Sequence, residues 1–177
     1  MARNLKMWIK MDNKKLVVNS GDVYFIPLFL YEESSTKSFS RYKFGGVQQE
    51  FCFFRVIDDH LGSGILIEIF NCVGGIDTDM NEIVSSQILF KPIYISGSGI
   101  SKKRWRKVGE TKNYNKETDS NYSSIQFLIG MPGEFRLWCN DMESDIDSTQ
   151  DVDDVEEHII WTSMQVEKRV LRVLGRL

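Results

Sequence analysis

The chain has 177 residues, of which 42% are hydrophobic and 27% are charged, and its formal net charge is −3. This composition is typical of a folded protein and excludes a disordered or low-complexity chain. A chain of this length buries roughly 70% of the surface that its unfolded form exposes, so we expect one domain, residues 1–177, with a packed core.

The N-terminal stretch, residues 1–11, carries three basic residues and lacks the uninterrupted apolar run of a signal peptide. No later segment has the roughly 20 apolar residues that a transmembrane helix needs. We therefore expect a soluble protein of the cytoplasm that has no membrane partner. The three cysteines lack the paired spacing of zinc or redox motifs, which favours buried, reduced thiols.

Residues 21–30 predict the first strand. Gly21 and Asp22 supply turn chemistry, residues 23–26 are β-branched or aromatic, and Pro27 prevents a continued central ladder. The pattern therefore predicts an opening or edge strand.

Residues 51–57 and 64–70 predict the next two strands, separated by a hydrophilic connector at 58–63. In the second run the apolar side chains occupy both faces apart from Glu68, which indicates a central, buried strand.

Shorter runs follow in the second half of the chain. Residues 88–95 have strand character, and Pro92 within them predicts an edge or a bulge. Residues 104–108 alternate basic with apolar side chains and predict a half-buried strand whose basic face is solvated. Residues 125–129 and 134–139 flank a Gly-Met-Pro-Gly turn and predict a hairpin.

The C-terminal residues change to helical spacing. Thr162 with Gln165 matches a capping box and Gly175 supplies a stop signal, so we expect an amphipathic helix over residues 163–174. Its predicted apolar stripe consists of Val166, Val170, Val173, Leu174 and Leu177.

Together these elements predict an α+β protein that is mostly antiparallel β. About seven strands are expected to form one strongly curved or barrel-like sheet, with the terminal helix packed on it. Within the domain we expect a β-rich body (20–139), an acidic connector (140–161) and the C-terminal helix (162–177).

No catalytic site is expected. Asp58, Asp59 and His60 place a base beside two carboxylates, but neighbouring side chains at a strand end point in different directions, which favours a solvated turn. The only other histidine is His158, and no Ser, Cys or Lys is visibly paired with a base. We therefore expect neither an enzyme nor a cofactor.

The segment 141–157 contains nine acidic residues and no Lys or Arg. Six of its side chains have the spacing of an EF-hand loop: Asp145, Asp147, Thr149, Asp151, Asp153 and Glu156. Gln150 stands where that loop needs glycine, and a strand instead of a helix precedes it, so calcium binding remains a side hypothesis.

Residues 102–107 form a basic group of five cations around Trp105. This pattern permits contact with a nucleic acid through phosphate pairing and base stacking. The overall acidity of the chain favours a solvated face instead, so we do not expect a nucleic-acid partner. A nucleic-acid-binding or general protein-interaction β-module is the alternative function.

Four segments carry a resemblance to a known family. They are residues 21–28 (Gly-Asp-Val-Tyr-Phe-Ile-Pro-Leu), 51–56 (Phe-Cys-Phe-Phe-Arg-Val), 88–93 (Ile-Leu-Phe-Lys-Pro-Ile) and 104–109 (Arg-Trp-Arg-Lys-Val-Gly). Their order resembles immunity family twenty-six of bacterial polymorphic toxin systems, in which a Gly-Asp-Val/Phe-aromatic-Ile-Pro-Leu strand opens the domain. An Arg-Val strand and a Trp-x-x-x-Gly element follow in that family. The insert at 32–50 and the acidic stretch depart from its pattern.

The resemblance implies a non-catalytic cytoplasmic protein that binds and blocks a cognate toxin. If that toxin is a nuclease with a basic cleft, acidic side chains can imitate a polynucleotide backbone and speed association. The predicted partner-binding residues are Asp58, Asp59, Asp145, Asp147, Asp151, Asp153, Asp154, Glu156 and Glu157. In the other interpretation, residues 141–157 are a solvated linker.

Overall fold

The computed structural model describes residues 16–60, 64–146 and 152–177. The strands of this part form two sheets. The larger, six-stranded sheet contains β1 (Asp22–Pro27), β2 (Phe51–His60), β3 (Gly64–Gly74), β4 (Ile88–Ile95), β5 (Lys107–Glu110) and β10 (Ile160–Trp161). The smaller, four-stranded sheet contains β6 (Gln126–Ile129), β7 (Arg136–Cys139), β8 (Met142–Asp145) and β9 (Glu156–Glu157).

The larger sheet has the order β10-β4-β3-β2-β1-β5, and the smaller has the order β8-β7-β6-β9. Neighbouring strands are antiparallel except for the pairs β10–β4 and β6–β9. The helices are α1 (Met80–Ser85), α2 (Ser98–Ser101), α3 (Lys116–Asp119) and α4 (Ser163–Val173), and a 3-10 turn spans Tyr122–Ser124.

The predicted α+β class, mostly antiparallel, is confirmed, but the single curved or barrel-like sheet of about seven strands is wrong. Both observed sheets are open. Three short strands, β8, β9 and β10, lie in the polar segment 140–161 that was predicted as a connector. Strands of two to four residues held by backbone pairing leave little apolar alternation in a sequence, which explains why the pattern missed them.

The strand β3 lies between β2 and β4, as the sequence predicted for a central strand. Its odd-numbered side chains, such as Ile65 and Ile67, face the same apolar cluster as α4. Its even-numbered side chains face the other way: Leu66 packs against the smaller sheet, and Phe70 packs in a separate cluster with α1. Glu68 therefore lies between two apolar clusters on one face of the sheet.

The strand β1 opens the larger sheet but is not at its edge. It pairs with β2 on one side and with β5 on the other. Pro27 is its last residue, so the missing N–H interrupts the ladder only where the strand ends. The prediction of an edge or a bulge at Pro92 is confirmed, because the pairing of β3 with β4 changes register next to this residue.

The helix α4 packs on the larger sheet, as predicted. The backbone N–H of Thr162 donates to Oε1 of Gln165 at 2.9 Å, which satisfies one donor at the helix start. Val166, Val170 and Leu171 are buried against the sheet. The predicted apolar stripe is wrong at its C-terminal end, since Val173 and Leu177 are about half exposed.

The basic run 104–108 also differs from its prediction. Only residues from Lys107 onward form a strand, and Arg104 is completely buried. Its Nε donates to Oε1 of Glu167 at 2.6 Å, and the same carboxylate oxygen accepts from Trp105 Nε1 at 3.0 Å. The guanidinium also donates to the carbonyl oxygens of Leu30, Glu33 and Ser34. Arg104 was predicted on a solvated face because its carboxylate partner lies about sixty positions away in the sequence.

Candidate partner-binding surface

Asp58, Asp59 and His60 form the end of β2 and not a solvated turn. Oδ2 of Asp58 accepts a hydrogen bond from Lys116 Nζ at 2.7 Å and lies 3.5 Å from His60 Nε2. Burial raises the pKa of the Asp58 carboxyl, but Lys116 and His60 lower it by more, so that this pKa lies below its usual value. Asp58 is thus engaged inside the protein.

His60 is packed at the seam between the two sheets. Its Nδ1 lies 2.8 Å from the hydroxyl of Tyr94, and its Nε2 lies 3.3 Å from the hydroxyl of Tyr122. The Tyr122 hydroxyl donates to Oδ1 of Asp141 at 2.8 Å. Burial, and then the Asp141 carboxylate, raise the pKa of Tyr122, so its hydroxyl remains a donor. These contacts give His60 a structural role.

The strand β8 carries the first part of the acidic segment, and all four of its residues are exposed. Arg136 on β7 binds two of its carboxylates: NH1 lies 2.7 Å from Glu143, and Nε lies 3.4 Å from Asp145. Asp145 is therefore anchored across the strands, at the far edge of the smaller sheet from β9.

The last part of the acidic segment, residues 153–157, forms what we call the acidic surface. Asp153, Asp154, Glu156 and Glu157 line one shallow depression together with Ile159. Asp154 is ion-paired with Lys91 and its side chain is 95% exposed. Glu156 is ion-paired with Arg169 of α4. Glu157 is exposed, although its backbone pairs with β6.

The structure thus separates the predicted partner-binding residues into three places. Asp58 and Asp59 lie at the seam, Asp145 lies on β8, and Asp153, Asp154, Glu156 and Glu157 form the acidic surface. Asp147 and Asp151 lie outside the described residues. The sequence missed Lys91, Lys116 and Arg136 as ionic partners, and no local pattern marks the first two, since each meets its carboxylate about sixty residues away.

Within residues 16–60, 64–146 and 152–177, no cluster of three or more His, Cys, Asp or Glu residues has a metal-binding arrangement. Three of the six positions of the calcium hypothesis (147, 149 and 151) lie outside these ranges. Asp145, the first position of the EF-hand pattern, contacts Arg136, and Glu156, the last position, contacts Arg169. None of the helices in this described part has the length and apolar character of a membrane span.

The basic run gives little support to a nucleic-acid interface. Arg104 is buried in its ion pair, and Arg106 donates to the carbonyl oxygens of Phe39 and Tyr42. Lys107 binds Asp22 and Glu110. Three of the five cations are therefore used to hold the protein's own segments together.

Comparison with known families gives one match. The sequence model of the family described as Immunity protein 26 matches residues 19–132, which is more than half of the chain. The matched part begins before β1 and ends in the turn between β6 and β7, so it includes neither the acidic surface nor α4. A search of curated proteins and a search of solved structures each found no match.

Proposed function

Because the chain belongs to the immunity protein 26 family, we propose that it binds one cognate toxin and neutralises it by covering the toxin's functional surface. The family match confirms the resemblance seen in the sequence. It implies an immunity protein directed against a polymorphic toxin, a role that needs a binding surface and no reaction centre. The toxin class and the binding surface are the parts that we infer.

The observation that supports a binding site for the toxin is the acidic surface. Its carboxylates line the depression together with Ile159, which is 46% exposed, and the next residue, Ile160, is 43% exposed. Protein interfaces commonly combine an apolar centre with a polar rim. Asp58 is not part of this proposed surface, because it lies apart from it at the seam between the sheets, where its side chain is only 28% exposed.

A toxin with a basic substrate cleft, such as a nuclease, fits this surface. Complementary charge guides two proteins into encounter and raises the association rate, and salt weakens the effect. The apolar side chains then contribute to slow dissociation once the complex has formed. We propose that inhibition is steric, since the bound protein occupies the cleft that the substrate would enter.

The proposal is tested with the triple variant Asp153→Asn, Asp154→Asn and Glu157→Gln. Toxin association is measured by stopped-flow fluorescence at several salt concentrations, and the probe is the toxin domain against which co-expression of this protein protects cells. We expect association at least about tenfold slower at low salt, and a smaller difference at high salt. Cells that co-express the toxin should survive less well with the variant than with the unmodified protein.

A matched control carries the same charge change at three exposed acidic residues elsewhere: Glu32→Gln, Asp77→Asn and Glu82→Gln. If both triple variants slow association equally, net charge and not the acidic surface governs encounter, and the assignment is wrong. If the unmodified protein neither binds that toxin nor protects cells from it, that toxin is not its cognate partner.

A further inference from the structure

A cavity of about 250 Å³ opens next to the acidic surface, between the two sheets. Ile88 and Pro92 of β4 form one wall, and Ile125, which precedes β6, lines it as well. Val155 lines both this cavity and the depression of the acidic surface. The two features are therefore adjacent.

The carboxylate of Glu68 lies at the cavity and is almost fully buried. Its Oε1 accepts hydrogen bonds from Arg55 Nε at 2.7 Å and from Ser120 Oγ at 2.6 Å. Among the described residues, no hydrogen bond is made to its Oε2. An ionised carboxylate accepts several hydrogen bonds through two oxygens, so Glu68 retains acceptor capacity beside the cavity.

One lining residue of the cavity, Lys91, is held by a weak contact. Lys91 lines the cavity and forms an ion pair with Asp154, whose side chain is almost entirely exposed. Exposed ion pairs contribute little free energy, so a cation from a partner can replace Lys91 on Asp154 at low cost. The surrounding carboxylates of the acidic surface favour such a cation.

We propose that this cavity receives one arginine side chain of the toxin, which anchors the interface that the acidic surface begins. This inference rests on the proposed function. The methylene stem lies against Ile88, Pro92 and Val155, and the guanidinium donates to Oε2 of Glu68. The side-chain oxygens of Asn121 and Gln126, which also line the cavity, accept its remaining N–H groups.

Arginine fits better than lysine or an aromatic side chain. Its planar fork presents five donors, and this cavity offers several oxygen acceptors within one small volume. Arginine is also among the residues that most often act as energetic centres of interfaces, where they fill desolvated pockets. A tyrosine would fill the volume but would leave most of the acceptors unpaired.

The first test uses the isolated protein. N-acetyl-arginine amide is titrated while amide shifts are followed by NMR, with N-acetyl-citrulline amide as the uncharged analogue of the same shape. We expect saturable shifts at Ser124, Gln126 and Val155 with the arginine compound only. No saturable shift at these residues, or equal shifts with citrulline, overturns the inference.

The second test uses the toxin. Ser124→Phe fills the cavity from an exposed position, and Ser123→Phe places the same side chain at the adjacent exposed residue, which does not line the cavity. We expect toxin binding to weaken at least about 30-fold for Ser124→Phe, as for loss of an interface anchor, and to change far less for Ser123→Phe. Equal binding by the two variants overturns the anchor.

The two tests separate this inference from the function on which it rests. If toxin binding depends on the acidic surface but not on Ser124→Phe, the function stands and the anchor is wrong. If the unmodified protein binds no toxin, the NMR titration still decides whether the cavity takes a guanidinium group.

Discussion

The larger and the smaller sheet differ in the length of their strands and in how their side chains are covered. In β1 every residue is buried, because both faces of the larger sheet carry packed side chains. In β8, at the edge of the smaller sheet, every residue is exposed. The comparison separates a scaffold, whose side chains contact other parts of the protein, from a region whose side chains are exposed to solvent.

The ion pairs follow the same division. The side chains of Arg104 and Glu167 are completely buried, and those of Arg55 and Glu68 are nearly so. By contrast, the pairs of the acidic segment with Lys91 and Arg136 lie at the surface. A buried pair costs much desolvation energy and is sensitive to loss of one member, whereas an exposed pair contributes little.

The largest effect is expected when the buried pair is broken. Glu167→Leu leaves the Arg104 guanidinium buried without its carboxylate, so the free energy of unfolding should fall by about 3–5 kcal/mol. Urea unfolding followed by circular dichroism measures this loss. Glu50→Leu, which breaks the exposed pair with Arg176, should cost less than about 1 kcal/mol. If both variants lost a similar free energy of unfolding, the distinction between buried and exposed ion pairs would be wrong.

A medium effect is expected at the seam between the sheets. Tyr122→Phe removes the hydroxyl that donates to Asp141, and should lower the free energy of unfolding by about 1 kcal/mol. Hydrogen exchange should speed up in β6 and β7 more than in β2 and β3, since the seam holds the smaller sheet. Tyr42→Phe, at a residue with an exposed fraction of 37%, is the control. Uniform acceleration in both sheets would show that they open together.

The smallest effect is a pH dependence at the end of β2. The pKa of Asp58 is lower in the folded protein than in the unfolded chain, so the ionised carboxylate stabilises the fold above the unfolded pKa of about 3.9. This contribution is lost as the pH falls through the lowered folded pKa. Asp58→Asn should therefore flatten the acid limb of stability, measured as urea midpoints below about pH 5.

Lys116→Met tests the cause of that pKa shift, because Lys116 supplies the hydrogen bond to Asp58. It should also flatten the acid limb. An unchanged acid limb in Lys116→Met would assign the lowered pKa to His60 instead.

The sequence predicted what depends on neighbouring residues. The central position of β3 follows from its continuous apolar run, and the start of α4 follows from Thr162 and Gln165. Contacts between distant residues were missed. Arg104 was assigned to a solvated face because nothing near it marks Glu167 as its partner, and the cavity at Glu68 depends on two sheets whose separation no local pattern records.

The ion pair between Arg104 and Glu167 crosses the boundary of the family match. Arg104 lies inside the matched residues 19–132, whereas its carboxylate comes from the helix that lies beyond them. A gene fragment ending at residue 132 would encode the whole matched region and still leave a buried cation without its counter-ion. Shuffling C-terminal segments between relatives would therefore have to preserve a carboxylate facing Arg104, which limits how freely recombination can replace this part of the protein.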